Sequence, residues 1–304
     1  MLNIIKGKHI TWVDIKSPTE SDLEWLRENF NFHPLVLKEI LPQLDYPKIE
    51  QFGRYLFLVL FYPFYDSHSF RTVPIELDIV VSKNYLITNH YKDIVPLKAI
   101  FDKCNLYEDV CEEYTKKGTY DLLYRVVNEV LAASFPKLSH IRQNVDEIES
   151  AIYAEQHKES VQKISLVRRD IIGFQKIVEP QGNVLQGLIE KSEEFFDEDI
   201  TPYFRSLFNT HNQISTILST QSKILDSLDT TNQSLINTRT NSTMKALTTF
   251  LVLLYPFSLF ADIFSMNGQF LQWTARPHDF WLVYGLMFVG FFTVLFIFKK
   301  KKWL

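Results

Sequence analysis

The sequence predicts an α+β membrane protein: a soluble N-terminal α/β part, then long helices, then two helices that cross a bilayer. Three observations carry this reading. Strand and helix signals alternate to about residue 115. Helical periodicity takes over from about residue 120, and its last stretch runs without Pro or Gly into an apolar tract. Most of the charge lies in the first 240 residues, whereas the last 60 hold two long apolar tracts. The whole-chain averages conceal this clustering: 304 residues are 46% hydrophobic and 22% charged, with net charge -4 and mean hydropathy -0.07. Those averages exclude a polytopic protein made mostly of buried helices, and 9 Gly and 12 Pro exclude a collagen-like or disordered chain.

Taken in order, His9 to Ile15, Tyr55 to Tyr62 and Thr72 to Thr88 are rich in β-branched and aromatic residues and read as strands, the last with a turn at Lys83-Asn84. Ser17 and Pro18 ahead of Glu20 read as an N-cap followed by proline at the first helical position, with Leu23, Leu26 and Phe30 facing a core. Leu122, Leu123, Val126, Val127 and Val130 follow helical spacing, in a helix expected to continue past Pro136 towards Tyr153. A second helix is expected over Ser160 to Val178, interrupted after it by Pro180 and Gly182, and a further piece runs into the acidic segment Glu190 to Asp199. The final helix starts near Pro202. Within it Ile214, Leu218, Gln221, Leu225, Leu228, Asn232 and Leu235 alternate spacings of 4 and 3, a heptad seam that implies packing partners along its length.

Phe280 to Phe298 is nineteen residues without a charge, ~28 Å of helix, close to the hydrocarbon thickness of a bilayer. Lys299 to Lys302 follow at once and favour a cytoplasmic C-terminus. Ala246 to Ala261 is a second uncharged run, and extension through Asp262 to Phe264 gives nineteen residues. Arg239 and Lys245 flank it, so both termini are expected on the cytoplasmic side. This tract is not uniformly apolar. Thr248, Leu251, Tyr255, Ser258 and Asp262 fall on one helical face, and the same period continues back through Met244, Asn241, Asn237, Gln233 and Thr230. Polar groups facing lipid are costly, so the stripe is expected to face a bundle interior or water, and two spans are too few to enclose a pore within one chain. An oligomer with this helix innermost satisfies both conditions. A two-span anchor whose hydroxyls bond back to the helix backbone also accounts for the residues.

Other functions leave no mark. Cys104 and Cys111 are too few for a disulfide framework and read as reduced thiols. MLNIIKGKHITW lacks the apolar core of a cleavable signal peptide. The acidic balance gives no footprint for nucleic acid. No phosphate loop, zinc-spaced Cys/His set or nucleophile elbow is present, and His9, His33, His68, His90, His140, His157 and His211 are scattered, so no enzyme is expected.

One further signature is specific. Asn241, Met244, Lys245, Leu247, Thr248, Pro256, Met266 and Asn267 match, in order and spacing, the first transmembrane helix of the CorA family of divalent-cation channels. Tyr46-Pro47-Lys48-Ile49-Glu50, Tyr203-Phe204-Arg205 and the tail KKKKWL resemble other family segments. The resemblance implies a homopentameric funnel in the cell (inner) membrane, multi-pass, with an N-terminal αβα cytosolic domain. On that plan residues 1–118 are the α/β domain and 119–202 the long cytosolic helices. Residues 203–264 are then the stalk and first transmembrane helix, 265–279 the external loop, 280–298 the second span and 299–304 a basic cytoplasmic tail. The implied partners are the chain itself, the bilayer and divalent cations, with Mg²⁺ as the transported ion and a possible regulator. The implied selectivity filter is Ser265, Met266 and Asn267, with metal contact from Asn267; the polar stripe adds Asp262 as a second expected metal contact. Gln233, Asn237, Asn241, Met244, Thr248, Leu251, Tyr255, Ser258 and Asp262 then line the pore. Mg²⁺ dehydrates reluctantly, and neutral oxygens hold its water shell without stripping it.

Three departures qualify the resemblance. Ser265 stands where the family has glycine, and a position needing φ > 0 would strain serine. Asp262 stands where a small residue is usual; in a pentamer it either forms a ring of carboxylates beneath the triplet or tips outward to the interface. Ser206 replaces an aspartate of the family's intersubunit Mg²⁺ sensor; Glu190, Glu193, Glu194, Asp197, Glu198 and Asp199 are nearby carboxylates that bind cations or form a solvated run. A zinc or other transition-metal transporter of the same fold, and a non-conducting membrane-anchored homologue, stay open as alternatives.

Overall fold

The computed structural model describes residues 2–8, 10–66, 69, 71–155, 157–196, 200–265 and 279–300. It divides into two compact units, Met1–Asp229 and Thr230–Leu304.

The first unit is built on a six-stranded sheet in the order β1-β2-β6-β5-β4-β3. Its strands are β1 (Leu2–Lys6), β2 (Thr11–Lys16), β3 (Lys48–Phe52), β4 (Tyr55–Asp66), β5 (Arg71–Ser82) and β6 (Tyr85–His90). Only β2 and β6 pair in parallel; β4 and β5 form a long antiparallel ladder from Tyr55↔Ser82 to Asp66↔Arg71. The run YLFLVLFY in β4 is apolar at every position because both faces of the sheet are covered. Leu56, Leu58, Leu60 and Tyr62 enter one core with α3 (Val95–Leu106), α4 (Glu108–Thr115), α5 (Thr119–Ala132), α8 (Gln181–Phe196) and the start of α9 (Thr201–Ser265). Tyr55, Phe57, Val59 and Phe61 enter the other, against α1 (Glu20–Asn29), α2 (Pro34–Ile40) and Ile177 of α7 (His157–Val178). A third cluster joins α6 (Phe135–Tyr153), α7 and the stretch of α9 from Ile214 to Leu228. Helices from beyond residue 118 therefore complete a layer on the sheet, and neither 118 nor 202 separates compact units.

Several local expectations need correction. The first helix starts at Glu20 with Thr19 as its N-cap, not Ser17: Asp22 accepts from the Thr19 N–H at 3.0 Å and its hydroxyl at 2.8 Å. Ser17 sits at φ 51° and donates to the Tyr91 carbonyl, which turns the chain before Pro18. The strand expected from His9 is β2, which begins at Thr11, and His9 lies outside the described residues. The helix expected to pass through Pro136 is two helices, α5 and α6. Proline has no N–H for the carbonyl one turn back, so it opens the first turn of α6 instead. The heptad seam finds its partners within the chain: Ile214, Leu218, Gln221, Leu225 and Leu228 are buried, the leucines and isoleucine against α6 and α7, and Asn232 is also buried. Leu235 is 38% exposed, which ends the seam.

The second unit contains the rest of α9, from Thr230, and α10 (Asp279–Lys300).

Candidate functional site

The α9 sequence sets the geometry of the site. With no Pro or Gly between Tyr203 and Tyr255, nothing interrupts its hydrogen-bond ladder until Pro256, which lies inside the helix and leaves the Val252 carbonyl without its helical donor. The helix is long and apolar enough to cross a membrane over part of its length.

Helix α10 covers one face of it. Leu253, Pro256 and Phe257 meet Met287, Gly290, Phe291 and Val294 around a cavity of only about 30 Å³, with the Phe257 and Phe291 rings 5.5 Å apart. On a wheel of 100° per residue this face, with buried Thr249, lies ~160° from the polar stripe. The stripe is therefore uncovered in the protomer. Gln233, Asn237, Asn241, Met244, Thr248, Leu251, Tyr255, Ser258 and Asp262 are all exposed, Met244 and Leu251 at 56% and Tyr255 at 70%.

The hydroxyls bear on the two readings of the stripe. Thr238, Thr243 and Thr293 donate to the carbonyl one turn back, at 2.9, 3.1 and 2.7 Å. Among the described residues no such bond is formed by Thr248 or Ser258, so these hydroxyls point outward with their hydrogen-bonding capacity unspent. Around them the exposed surface is apolar: Leu247, Phe250, Val252, Leu254 and Leu259 on α9, and Trp281, Tyr284, Phe288, Val289, Phe292 and Phe296 on α10. So much exposed apolar surface needs lipid or partner helices to cover it. Ser265 is the last residue of α9, in helical backbone; the non-glycine residues at positive φ among those described are Ser17 and Glu155. Met266 and Asn267 lie outside the described residues, as do the rest of the expected loop to His278 and the tail from Lys301.

A model of the CorA-like Mg²⁺ transporter protein family matches residues 7–300. The chain belongs to that family. The cobalt/magnesium transport protein CorA of Thermotoga maritima is 26% identical over 295 residues, covering 97% of this chain and 83% of the relative. The CorA of Methanocaldococcus jannaschii is 24% identical, covering 97% and 92%. The complete structure of the CorA magnesium transporter from that organism aligns with a TM-score of 0.85 at 22% identity, over 99% of this chain and 93% of that one, which establishes a shared fold.

Within this CorA fold the structure gives no support to the acidic segment as a metal centre. Glu190 accepts from Gln186 at 3.3 Å and Glu193 from Thr201 at 2.8 Å. Among the described residues no three His, Cys, Asp or Glu side chains converge. Ser206 is exposed, and Asp197, Glu198 and Asp199 lie outside the described residues. Cys104 and Cys111 are buried free thiols, and burial, with each next to the other, pushes Cys104 up to about 12.

Sequence reasoning missed the polar groups inside the sheet. On one face Asp14 accepts from Thr88 at 2.6 Å, and its other oxygen faces His90 Nε2 at 3.4 Å. On the other, Glu76 accepts from the Leu44 N–H at 2.9 Å, and Asn89 donates to buried Asp78 at 2.8 Å. Burial raises both Glu76 and Asp78, Asp78 far above the usual carboxylate range with the neighbouring Glu76 adding to it. Asp78 and Glu76 alternate with leucine and isoleucine along β5, and that period-2 pattern was the available signal.

Proposed function

We propose that this chain assembles as a homopentamer in the cell membrane and passes divalent cations, Mg²⁺ first among them, into the cytoplasm down their electrochemical gradient. The observation that carries this reading is the uncovered polar stripe on α9, opposite the face that α10 occupies. A hydroxyl and amide face inside a membrane helix needs water or other polar groups. Five stripes around an axis supply both, and α10 then faces lipid as the second span. Its 22 residues reach ~33 Å, enough to cross, and end in lysines that favour the cytoplasm.

In this arrangement Gln233, Asn237, Asn241, Thr248 and Ser258 contact the ion's water shell. Met244, Leu251 and Tyr255 form apolar constrictions that gate by dewetting, and Asp262 adds a carboxylate ring near the external end. The field supplies ~4.6 kcal/mol per divalent ion at 100 mV, so no chemical energy source is required. The helical backbone at Ser265 supports serine as a tolerated replacement for glycine. The absence of a carboxylate at Ser206 argues for conduction that does not close at high cytoplasmic Mg²⁺.

Flux into liposomes tests the reading. Uptake of Mg²⁺, with Co²⁺, Ni²⁺ and Zn²⁺ compared, is expected from the wild-type protein with or without internal Mg²⁺. Failure of the wild type with rescue by Ser265→Gly defeats the claim that the native triplet conducts. Selectivity unchanged in Asp262→Ala removes the carboxylate ring from the mechanism.

A further inference from the structure

The soluble unit contains an open cleft of about 820 Å³, bounded by the loop before β3, the start of β5 and one side of α7. Its walls are set by two close contacts. Gly173 lets α7 approach β5 so nearly that an added Cβ would stand 3.0 Å from the Thr72 carbonyl oxygen. The buried Thr72 hydroxyl donates to Asp170 at 2.7 Å beside it. On the other side Glu76 anchors the loop through the Leu44 N–H.

The charge in this cleft runs against the chain as a whole, whose net charge is -4. Arg71, Arg168, Arg169 and Lys176 line it, against the single carboxylate of Asp45. Arg168 is committed to Asp226 and Asp229, at 3.0 Å each. Arg169 donates to the Ser69 carbonyl at 3.0 Å, and among the described residues neither it, Arg71 nor Lys176 has a carboxylate partner. Three cations with no direct carboxylate partner among the described residues outnumber the one carboxylate lining the cleft, and in a concave site they make a field that attracts anions. The remaining wall is mostly apolar and includes Tyr46, which is 56% exposed.

We infer that this cleft binds a nucleotide-class ligand, with several negative charges held by Arg71, Arg169 and Lys176 and a flat ring lying against Tyr46. The volume is that of a small-molecule site and far exceeds one inorganic phosphate. Guanidinium forks suit phosphate oxygens, and aromatic faces suit flat rings. The site involves no membrane residue, so it stands or fails apart from the conduction pathway. Arg168 gives it a mechanical link: a bound phosphate competes with Asp226 and Asp229 for the guanidinium that ties α7 to α9.

The test is calorimetric titration of the full-length protein in detergent, with EDTA present, using ATP, inorganic tripolyphosphate and adenosine as probes. Saturable ATP binding is expected, weakened about a hundredfold by Arg71→Gln with Lys176→Gln, since each charge-assisted contact carries about tenfold. Tyr46→Ala should weaken ATP and leave tripolyphosphate unchanged. All three positions are exposed, and unchanged thermal unfolding of the variants verifies that they fold. Lack of saturable ATP binding, binding indifferent to the charge substitutions, or tripolyphosphate binding as tightly as ATP would each overturn the assignment.

Discussion

At the scale of single residues, the least ordinary groups are the ionisable ones inside the soluble unit. Asp78 is 1% exposed, accepts from Asn89, and has its remaining oxygen buried without a hydrogen-bond partner. Burial holds its carboxyl far above the usual range. The native state therefore keeps a proton that the unfolded chain releases near pH 4. Its stabilising share is complete below that pH and falls as pH rises towards the native value. Asp78→Asn puts an uncharged amide in place of the carboxyl, so thermal unfolding is expected to lose part of its pH dependence above pH 4 and to gain in midpoint at pH 7. An unchanged profile would remove Asp78 as its source. Lys137 shows the opposite sign. Its ammonium lies over the Tyr62, Phe64 and Phe174 rings and donates to the Pro63 carbonyl, and burial lowers it to about 8. The unfolded chain binds the extra proton between pH 8 and 10.5, so stability from this group rises across that window. Lys137→Met should flatten it in the same assay.

At the scale of elements, α7 is held by a close approach and α9 by its seam. Gly173→Val places a branched side chain against the Thr72 backbone, which cannot retreat without disturbing the β5 ladder. Overpacking of this kind costs about 1–3 kcal/mol and should lower the unfolding midpoint. Leu218 is fully buried between α9, α6 and α7, whereas Leu235 is 38% exposed, although both occupy seam positions. Leu218→Ala is expected to cost about 2–5 kcal/mol and Leu235→Ala under about 1, by thermal unfolding in detergent. Equal costs would contradict the seam's end at Asn232. The same pair marks what the sequence made legible. Spacing placed the seam and the helix start near Pro202, because periodicity is local. It could not say whether a neighbouring subunit or the chain's own α6 and α7 would fill the seam, which depends on distant residues. Strand β4 was legible from its unbroken apolar run; β1 and β3, half-exposed edge strands with Asn3, Glu50 and Gln51, carried no such signal. The polar stripe needed only a period, and its residues share one exposed face of the protomer. The cationic cleft draws Tyr46, Arg71 and Lys176 from separate segments, and no linear pattern joins them.

At the scale of the whole molecule, the open question is what faces the stripe, and a single hydroxyl can answer it. Thr248 is exposed, on the face opposite α10, and forms no hydrogen bond back to its own helix. If α9 lines a pentameric pore, five such hydroxyls contact hydrated ions at one level, and removing them takes polar contacts from the wall between the constrictions at Met244 and Leu251 while leaving its width nearly unchanged. If the stripe faces lipid, the same change removes a buried polar group and improves insertion. Thr248→Val separates these outcomes because it nearly keeps the shape and deletes the hydroxyl. We expect Mg²⁺ uptake in liposomes to fall about fivefold, the factor of a neutral hydrogen bond worth about 1 kcal/mol, with the oligomer intact by native mass measurement. Leu253→Ala, on the face covered by α10, should instead loosen packing and lower thermal stability before it changes ion selectivity. Full uptake in Thr248→Val, together with a raised unfolding midpoint, would turn the stripe outward to lipid. The pore would then have to be sought on another face of α9, where the exposed residues Leu247, Phe250 and Leu254 offer no polar group to an ion.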